Sequence, residues 1–298
     1  MFLQTFFYLT GLEMEKLKIA IQKSGRLTEK SLALFAECGI NISNGSGKLV
    51  AVAQDFPIEV LFLRDDDIPQ YVADGVADMG IVGENVVAET GKVLDTVHRL
   101  GFGKCRLSLA LSKTVDYPGI QYFHGKRIAT SYPYILETFL AKHGVKADIH
   151  VISGSVEIAP GIGLADAIFD IVSSGSTLLA NNLKEVDVAM ESEAVFVANQ
   201  KLSDAKKNII EELVFRVKSA QAGKRNKYIL LNAPKNKVAE IADVLPGMKS
   251  PSIMPLVDEN WVSMHSVISE KHFWEIIGKL KELGAEGILV IPIEKMIE

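Results

Sequence analysis

Through the first two-thirds of the chain, short apolar runs alternate with segments whose apolar residues recur at helical spacing, the pattern of strands and helices taken in turn. Leu17–Ile21 predicts a strand; Leu27, Ser31, Leu34, Phe35 and Cys38 predict a helix that Gly39 stops. Glu59–Leu63 and Ala77–Val82 predict further strands, and between them Asp67 is placed to cap a helix with Pro69 in its first turn and Gly75 at its end. Leu107–Leu111 is another strand. From about Ser112 the pattern restarts: a strand over Gly125–Thr130, a helix over Tyr134–His143 ended by Gly144, and strands at Ile149–Ile152 and Ala167–Val172. Arg127–Pro133 echoes Lys18–Arg26, so the chain reads as two similar α/β lobes.

Beyond the helix predicted for Ser203–Ala220, the basic run Gly223–Lys227 is the best linker candidate. A strand (Tyr228–Leu231), a helix (Asn236–Leu245, stopped by Pro246-Gly247), two strands (Ser252–Val257 and Trp261–Ile268), a helix (Ser269–Leu283) and a last strand (Ile288–Ile291) follow. That β-α-β-β-α-β order is the ferredoxin-like unit, here over 226–298.

Of the 298 residues, 48% are hydrophobic and the net charge is −5, which excludes disorder as the main state. No uninterrupted apolar run reaches membrane-spanning length, so a membrane protein is not expected. The acidic balance gives no footprint for nucleic acid. Two cysteines, Cys38 and Cys105, suit a reducing cytoplasm, and both are expected to be buried. Met1–Glu13 is apolar without a basic start, so it reads as an extension ahead of Met14 rather than an export signal.

The most informative stretch is Ala165–Asn182. A strand ending at Val172 runs into Ser173-Ser174-Gly175-Ser176-Thr177, and a helix begins near Thr177 and continues toward Leu183. Such a loop can aim several backbone N–H groups and hydroxyls at one phosphate, and Gly175 permits close approach. Asp166 and Asp170 stand upstream, where carboxylates could hold ribose hydroxyls or a Mg²⁺ bridging to diphosphate. A plain Ser-rich turn would use the same residues. Ser153–Glu157 is a second loop at a strand end, and Lys23, Ser24 and Arg26 follow a strand directly, where open α/β sheets place ligands. Arg99–Arg106 combines three cations, two glycines and Phe102, which suits either a nucleotide or a hinge. Asp65-Asp66-Asp67 reads as a solvated turn, and the six histidines show no metal spacing.

Taken together, AIQKSGRL (20–27), DIPQYVADGVADMGIVGENVV (67–87), LGFGKCRLSLA (100–110), KRIATSYP (126–133), SGSVEIAPGIGLADAIFDIVSSGSTL (153–178) and SPSIMPL (250–256) resemble the ATP phosphoribosyltransferase family, in its long form with a C-terminal regulatory domain. The resemblance implies a two-lobed, periplasmic-binding-protein-like catalytic core: lobe one over 14–106 and 200–222, lobe two over 107–199. It implies a cytoplasmic pentosyltransferase that joins N1 of ATP to C1 of phosphoribosyl pyrophosphate as the first step of histidine biosynthesis, uses Mg²⁺, and is inhibited by histidine. Dimers assembling into hexamers are implied as well. A two-lobed solute-binding protein without catalysis is the alternative.

Carried over by position, Asp170, Ser173, Ser174, Gly175, Ser176, Thr177 and Leu178 would bind phosphoribosyl pyrophosphate, with Glu157 and Asp166 contacting ribose or metal. Asp170 and Glu157 would be the Mg²⁺ ligands. Lys23, Ser24, Arg26, Glu84, Leu100, Gly101 and Arg106 would face ATP. Asn232, Met248, Ser250 and Ser252 would line the histidine pocket, with Asn232 standing where the family can place an acid.

Overall fold

The computed structural model describes residues 15–42, 49–245 and 247–297; the expectations for Met1–Glu13, Met14 and Pro246 lie outside them. The chain forms β1 (Leu17–Gln22), α1 (Arg26–Glu37), β2 (Val50–Val52), β3 (Ile58–Leu63), α2 (Ile68–Ala73), β4 (Met79–Gly83), α3 (Glu84–Thr90), β5 (Asp95–Arg99) and β6 (Cys105–Ser112). Next come β7 (Arg127–Thr130), α4 (Pro133–Lys142), β8 (Asp148–Val151), β9 (Ala167–Val172), α5 (Ser176–Ala180), β10 (Leu183–Ser192) and β11 (Ala194–Ala198). The long helix α6 (Asp204–Arg225) leads to β12 (Asn226–Pro234), α7 (Val238–Val244), β13 (Ser252–Pro255), β14 (Trp261–Ser269), α8 (Glu270–Glu282) and β15 (Glu286–Pro292).

Two compact units result: residues up to Ala36 with Ile40–Ile210, and Glu37–Gly39 with Glu211–Glu298. The first unit holds two sheets, ordered β2-β3-β1-β4-β11-β5 and β10-β6-β9-β7-β8. Each contains three mutually parallel strands (β3-β1-β4 and β8-β7-β9) followed by an antiparallel strand that arrives from the other half of the chain. The chain thus crosses between sheets twice, once before Cys105 and once at Glu193, which is the two-lobed α/β arrangement expected. The return comes at β11, earlier than the expected residue 200, and α6 is shared between the two units at Ile210/Glu211.

Burial accounts for these elements. Ile68, Val72, Val82, Val86, Val195 and Val197 pack between the first sheet and α2 and α3, while Ile135, Leu136 and Leu140 of α4 cover Leu107, Leu109 and Phe169 of the second. Asp67 does not cap α2; it is itself helical, in a 3-10 turn Asp65–Asp67 that runs straight into the helix, and makes no side-chain cap bond. The helix expected over Thr177–Leu183 stops at Ala180, because Leu183 is buried and opens β10.

The second unit has the sheet β13-β14-β12-β15, antiparallel throughout, with α7 and α8 beside it, the ferredoxin-like arrangement. Ser269 caps α8 by accepting the His272 N–H, and Phe273, Ile276 and Leu280 are buried, each contributing about 1.5–3 kcal/mol. Among the described residues no helix is long and apolar enough to cross a membrane.

The expected linker Gly223–Lys227 is not a loop: helix runs to Arg225 and strand begins at Asn226. Gly223 serves close packing instead. A Cβ there would come within 2.7 Å of the Ile293 carbonyl oxygen and 2.9 Å of the Glu294 carbonyl, backbone that cannot step aside cheaply. Gly223→Ala should therefore lower stability by about 1–3 kcal/mol, the usual cost of overpacking. Denaturant titration of the second unit's transition checks it; an unchanged midpoint would refute the packing role.

Candidate active site

β9 is buried as it crosses its sheet through Ala167, Ile168 and Phe169, with Val172 at its end. Asp170 interrupts that run half-buried, its Oδ1 accepting the Ile171 N–H at 2.8 Å. The chain then emerges. Ser173, Ser174, Ser176 and Thr177 are exposed, and Gly175 takes φ +79°, a left-handed conformation that a side chain would strain. The Ser174 and Ser176 hydroxyls lie 3.0 Å apart. The N–H groups of Ser174, Gly175 and Thr177 make no hydrogen bond among the described residues. Leu178 points inward, buried with Val172 and Leu183, so it anchors the bend and can offer a ligand only its backbone.

Ser173 lines a cleft of about 440 Å³ together with Glu84, Arg99, Lys104, Cys105, Arg106 and the corner Glu191–Glu193. The expected residues Glu84, Arg106 and Ser173 therefore share one cavity wall. Glu84 opens α3 and holds the Arg99 guanidinium at 2.6 Å. Behind it, buried Asn85 donates its N–H to Ser192 Oγ at 3.0 Å and accepts that hydroxyl at 2.9 Å. Leu100 is buried, with its N–H on the Ala194 carbonyl, and Gly101 turns at φ +74°; both shape the crossing rather than face the cavity. Cys105, expected to be buried like Cys38, is half-exposed on this wall, its thiol pushed up by partial burial.

Arg106 makes three hydrogen bonds through its guanidinium. Its Nε and Nη2 both reach the Glu185 carboxylate at 2.5 Å, and Nη1 donates to the Ser173 carbonyl at 3.2 Å. Asp166 is likewise committed: its carboxylate takes the Arg127 guanidinium at 2.9 Å and the Arg127 N–H at 2.9 Å, and these bonds hold it below the ordinary aspartate range. Glu157 sits on a 3-10 turn packed against β9. Burial, and then the charge of Glu157, push the Asp170 carboxyl above its ordinary range, so the two acids share one neighbourhood. Lys23, Ser24 and Arg26 are exposed at the end of β1, and neither cation has an ion-pair partner among the described residues.

Two residues escaped the sequence reading. Asp65, expected to be solvated, has a buried Oδ1 without a partner, and burial with the Asp66 charge pushes its carboxyl to about 6. Tyr132 accepts Asn85 Nδ2 at 3.4 Å, which links α3 to the start of α4. The Ser-Tyr-Pro turn was a signal for its place though not for its partner.

In the second unit, Asn232 on β12 stands opposite Ser263, while Ser252 on β13 stands opposite His265; Met248 and Ser250 precede β13 on exposed chain. Tyr228 Oη meets His265 Nδ1 at 2.6 Å and Ser263 Oγ meets Nε2 at 3.1 Å, a polar cluster beside Asn232 that the search for metal spacing did not reveal.

Residues 64–219 match the family model described as ATP phosphoribosyltransferase, and residues 223–295 match the model of its C-terminal domain. The chain belongs to the ATP phosphoribosyltransferase family. Relatives named ATP phosphoribosyltransferase include one from Bacteroides thetaiotaomicron, 62% identical over 281 residues (94% of this chain and 99% of the relative). Another, from Parabacteroides distasonis, is 63% identical over the same shares. Among solved structures, the ATP phosphoribosyl transferase (HisG:HisZ) complex from Thermotoga maritima is similar at 30% identity and a TM-score of 0.59, over 68% of this chain and 98% of that one. Family membership at this level makes the chain an enzyme and sets aside the solute-binding alternative.

Asp166 ties the start of β9 to β7 through Arg127. Because its carboxyl is held below the ordinary value, its stabilising effect is present above about pH 4 and is lost as the pH falls through the lowered value. The pair is partly exposed, which limits it to about 1 kcal/mol after screening. Asp166→Asn should cost that much near neutral pH and progressively less as the pH falls below about 4, read from thermal unfolding across that range; a cost independent of pH would refute the ionic role.

Proposed function

We propose that this chain transfers the phosphoribosyl group of phosphoribosyl pyrophosphate to N1 of ATP, releasing pyrophosphate, as the first step of histidine biosynthesis. The observation that carries the reading is the exposed, hydroxyl-rich Ser173–Thr177 bend that follows Asp170, with three N–H groups that have no partner among the described residues.

The adenine N1 lone pair forms the new bond to C1 while the bond from C1 to the diphosphate oxygen breaks with inversion. The nucleophile needs no base, because N1 carries a lone pair already. Alignment and charge stabilisation therefore supply most of the rate. In this reading the bend grips the 5-phosphate through the Ser174, Gly175 and Thr177 N–H groups and the Thr177 hydroxyl. Asp170 holds the ribose hydroxyls. Lys23 and Arg26, without ion pairs among the described residues, meet phosphate oxygens of ATP or of the diphosphate, while Arg99 stays with Glu84.

Among the described residues no three His, Cys, Asp or Glu side chains are grouped to hold a metal. Asp170 and Glu157, two mutually repelling acids, fit the mode in which Mg²⁺ takes one or two carboxylates plus substrate phosphates. When bound, Mg²⁺ would neutralise the departing diphosphate.

Asn232 and Ser252, on one open sheet face with Tyr228, Ser263 and His265 nearby, and Met248 and Ser250 alongside, support a histidine-binding regulatory site. The family assignment supports assembly into dimers and hexamers, and the unpaired Cys38 and Cys105 suit the cytoplasm.

Incubating the protein with ATP, phosphoribosyl pyrophosphate and Mg²⁺ should give the N1-ribosylated product, followed by ultraviolet absorbance; none would refute the assignment. Thr177→Ala and Gly175→Val should raise KM for phosphoribosyl pyrophosphate about tenfold or more, the loss of one or two charge-assisted hydrogen bonds, with far less effect on ATP. Equal losses would show the bend is misassigned. Asn232→Asp should strengthen histidine inhibition about fivefold to tenfold by giving the effector's ammonium a charged acceptor; an unchanged inhibition curve would move the effector elsewhere.

A further inference from the structure

We propose that Glu185 is a positioning residue of the transferase, acting through Arg106 to fix the direction of the phosphate-binding bend; the inference rests on reading Ser173–Thr177 as the phosphoribosyl loop. β6 lies between β10 and β9. From this middle strand, Arg106 spans both neighbours. Its Nε and Nη2 take the two oxygens of Glu185 on β10, and its Nη1 takes the carbonyl of Ser173, one residue beyond its register partner Val172 on β9. Ser108 Oγ donates to Glu185 Oε1 at 2.6 Å, fixing the carboxylate from a third direction. β10 departs from regular register twice, between Glu185 and Asp187 and between Val188 and Met190, in the stretch separating Glu185 from Glu191, the register partner of Arg106; such irregularities re-aim side chains.

The consequence follows from peptide planarity. The Ser173 carbonyl and the Ser174 N–H belong to one peptide unit and point in opposite directions across it. Anchoring the oxygen on Arg106 therefore sets where the first unpartnered N–H of the bend points. Without the anchor, that peptide could rotate and turn its carbonyl toward an incoming phosphate, replacing attraction by repulsion. The guanidinium itself is a poor candidate for holding ATP, although its position in the sequence suggested that role. Both of its fork donors and its charge are taken by Glu185, which keeps it above even the ordinary arginine range. A lysine at this place would keep the charge and lose the fork.

The test compares KM for each substrate in Glu185→Gln, Arg106→Lys and Ser108→Ala, with thermal unfolding alongside. Glu185→Gln and Arg106→Lys should raise KM for phosphoribosyl pyrophosphate about tenfold, the scale of one charge-assisted hydrogen bond, and leave KM for ATP within about twofold. Ser108→Ala should move it the same way by less, and carries the test if the charge variants fail to fold. Glu185→Asp, which keeps the carboxylate, should recover part of the loss. Equal changes for both substrates, or a lower unfolding temperature with KM for phosphoribosyl pyrophosphate unchanged, would overturn the brace. Thr177→Ala, assayed in parallel, separates the two failures. If Thr177→Ala is selective for phosphoribosyl pyrophosphate and Glu185→Gln is not, the brace alone is wrong. If neither is selective, the loop assignment falls and the brace with it.

Discussion

Three backbone N–H groups left without partners at the end of a buried strand do not hold their direction unaided, because a free loop relaxes toward water or its own carbonyls. Here the residues on either side of the bend are pinned. Val172 and Leu178 are buried in one cluster with Leu183, and the Ser173 carbonyl is tied to Arg106. Gly175 at φ +79° supplies the reversal between these anchors at no steric cost. The exposed donors are thus a small part of a larger pinned segment, and in the proposed reading a phosphate bound there would cost little further ordering. Preorganisation of this kind is what a reaction run by alignment and charge requires.

These cations of the first unit divide into two populations with different uses. Arg99, Arg106 and Arg127 are held by Glu84, Glu185 and Asp166, and so serve as architecture. Lys23 and Arg26, at the end of β1, and Lys104, on the cleft wall, have no acidic partner among the described residues and keep their charge available. Sequence position alone treats all of these but Arg127 as ligand candidates. The acids repeat the division, since Asp166 is neutralised by its arginine while Asp170 and Glu157 stand near each other unpaired.

Much of this was legible in the residues. The parallel strands at 17–22, 79–83 and 167–172 are short apolar runs, the hydroxyl-rich bend follows the last of them, and the terminal βαββαβ order was plain. What stayed hidden has identifiable causes. β10, LKEVDVAMES, mixes charges with apolar residues because it is a half-exposed edge strand, and nothing in its composition announces that Glu185 faces Arg106 across 79 positions. β5, DTVHR, is equally polar. Gly223 looked like a flexible joint, since a glycine needed for the close approach of Ile293 and one needed for freedom are identical in sequence. Asp166 and Asp170 are four residues apart with the same chemistry; only the fold gives one an arginine and the other a glutamate.

The two sheets of the first unit share an architecture but not a chemistry, and the difference supports the proposed place of the reaction. β4 and β9 occupy the same place in their sheets, each flanked by the first parallel strand and by the antiparallel strand exchanged from the other half. β4 leaves through Gly83, where a Cβ would overlap Asn85 Oδ1, directly into an acid, Glu84. β9 leaves through three serines, a glycine and a threonine. Both exits reach the same cleft, through Glu84 and Ser173. Under the proposed transfer, an anionic group between them would meet a carboxylate already neutralised by Arg99 on one side and, beyond Ser173, N–H donors without partners among the described residues on the other, which favours the β9 side. In that same reading the end of β1, where Lys23 and Arg26 are exposed without an ion-pair partner among the described residues, is left for the second phosphorylated substrate that a two-substrate transfer needs.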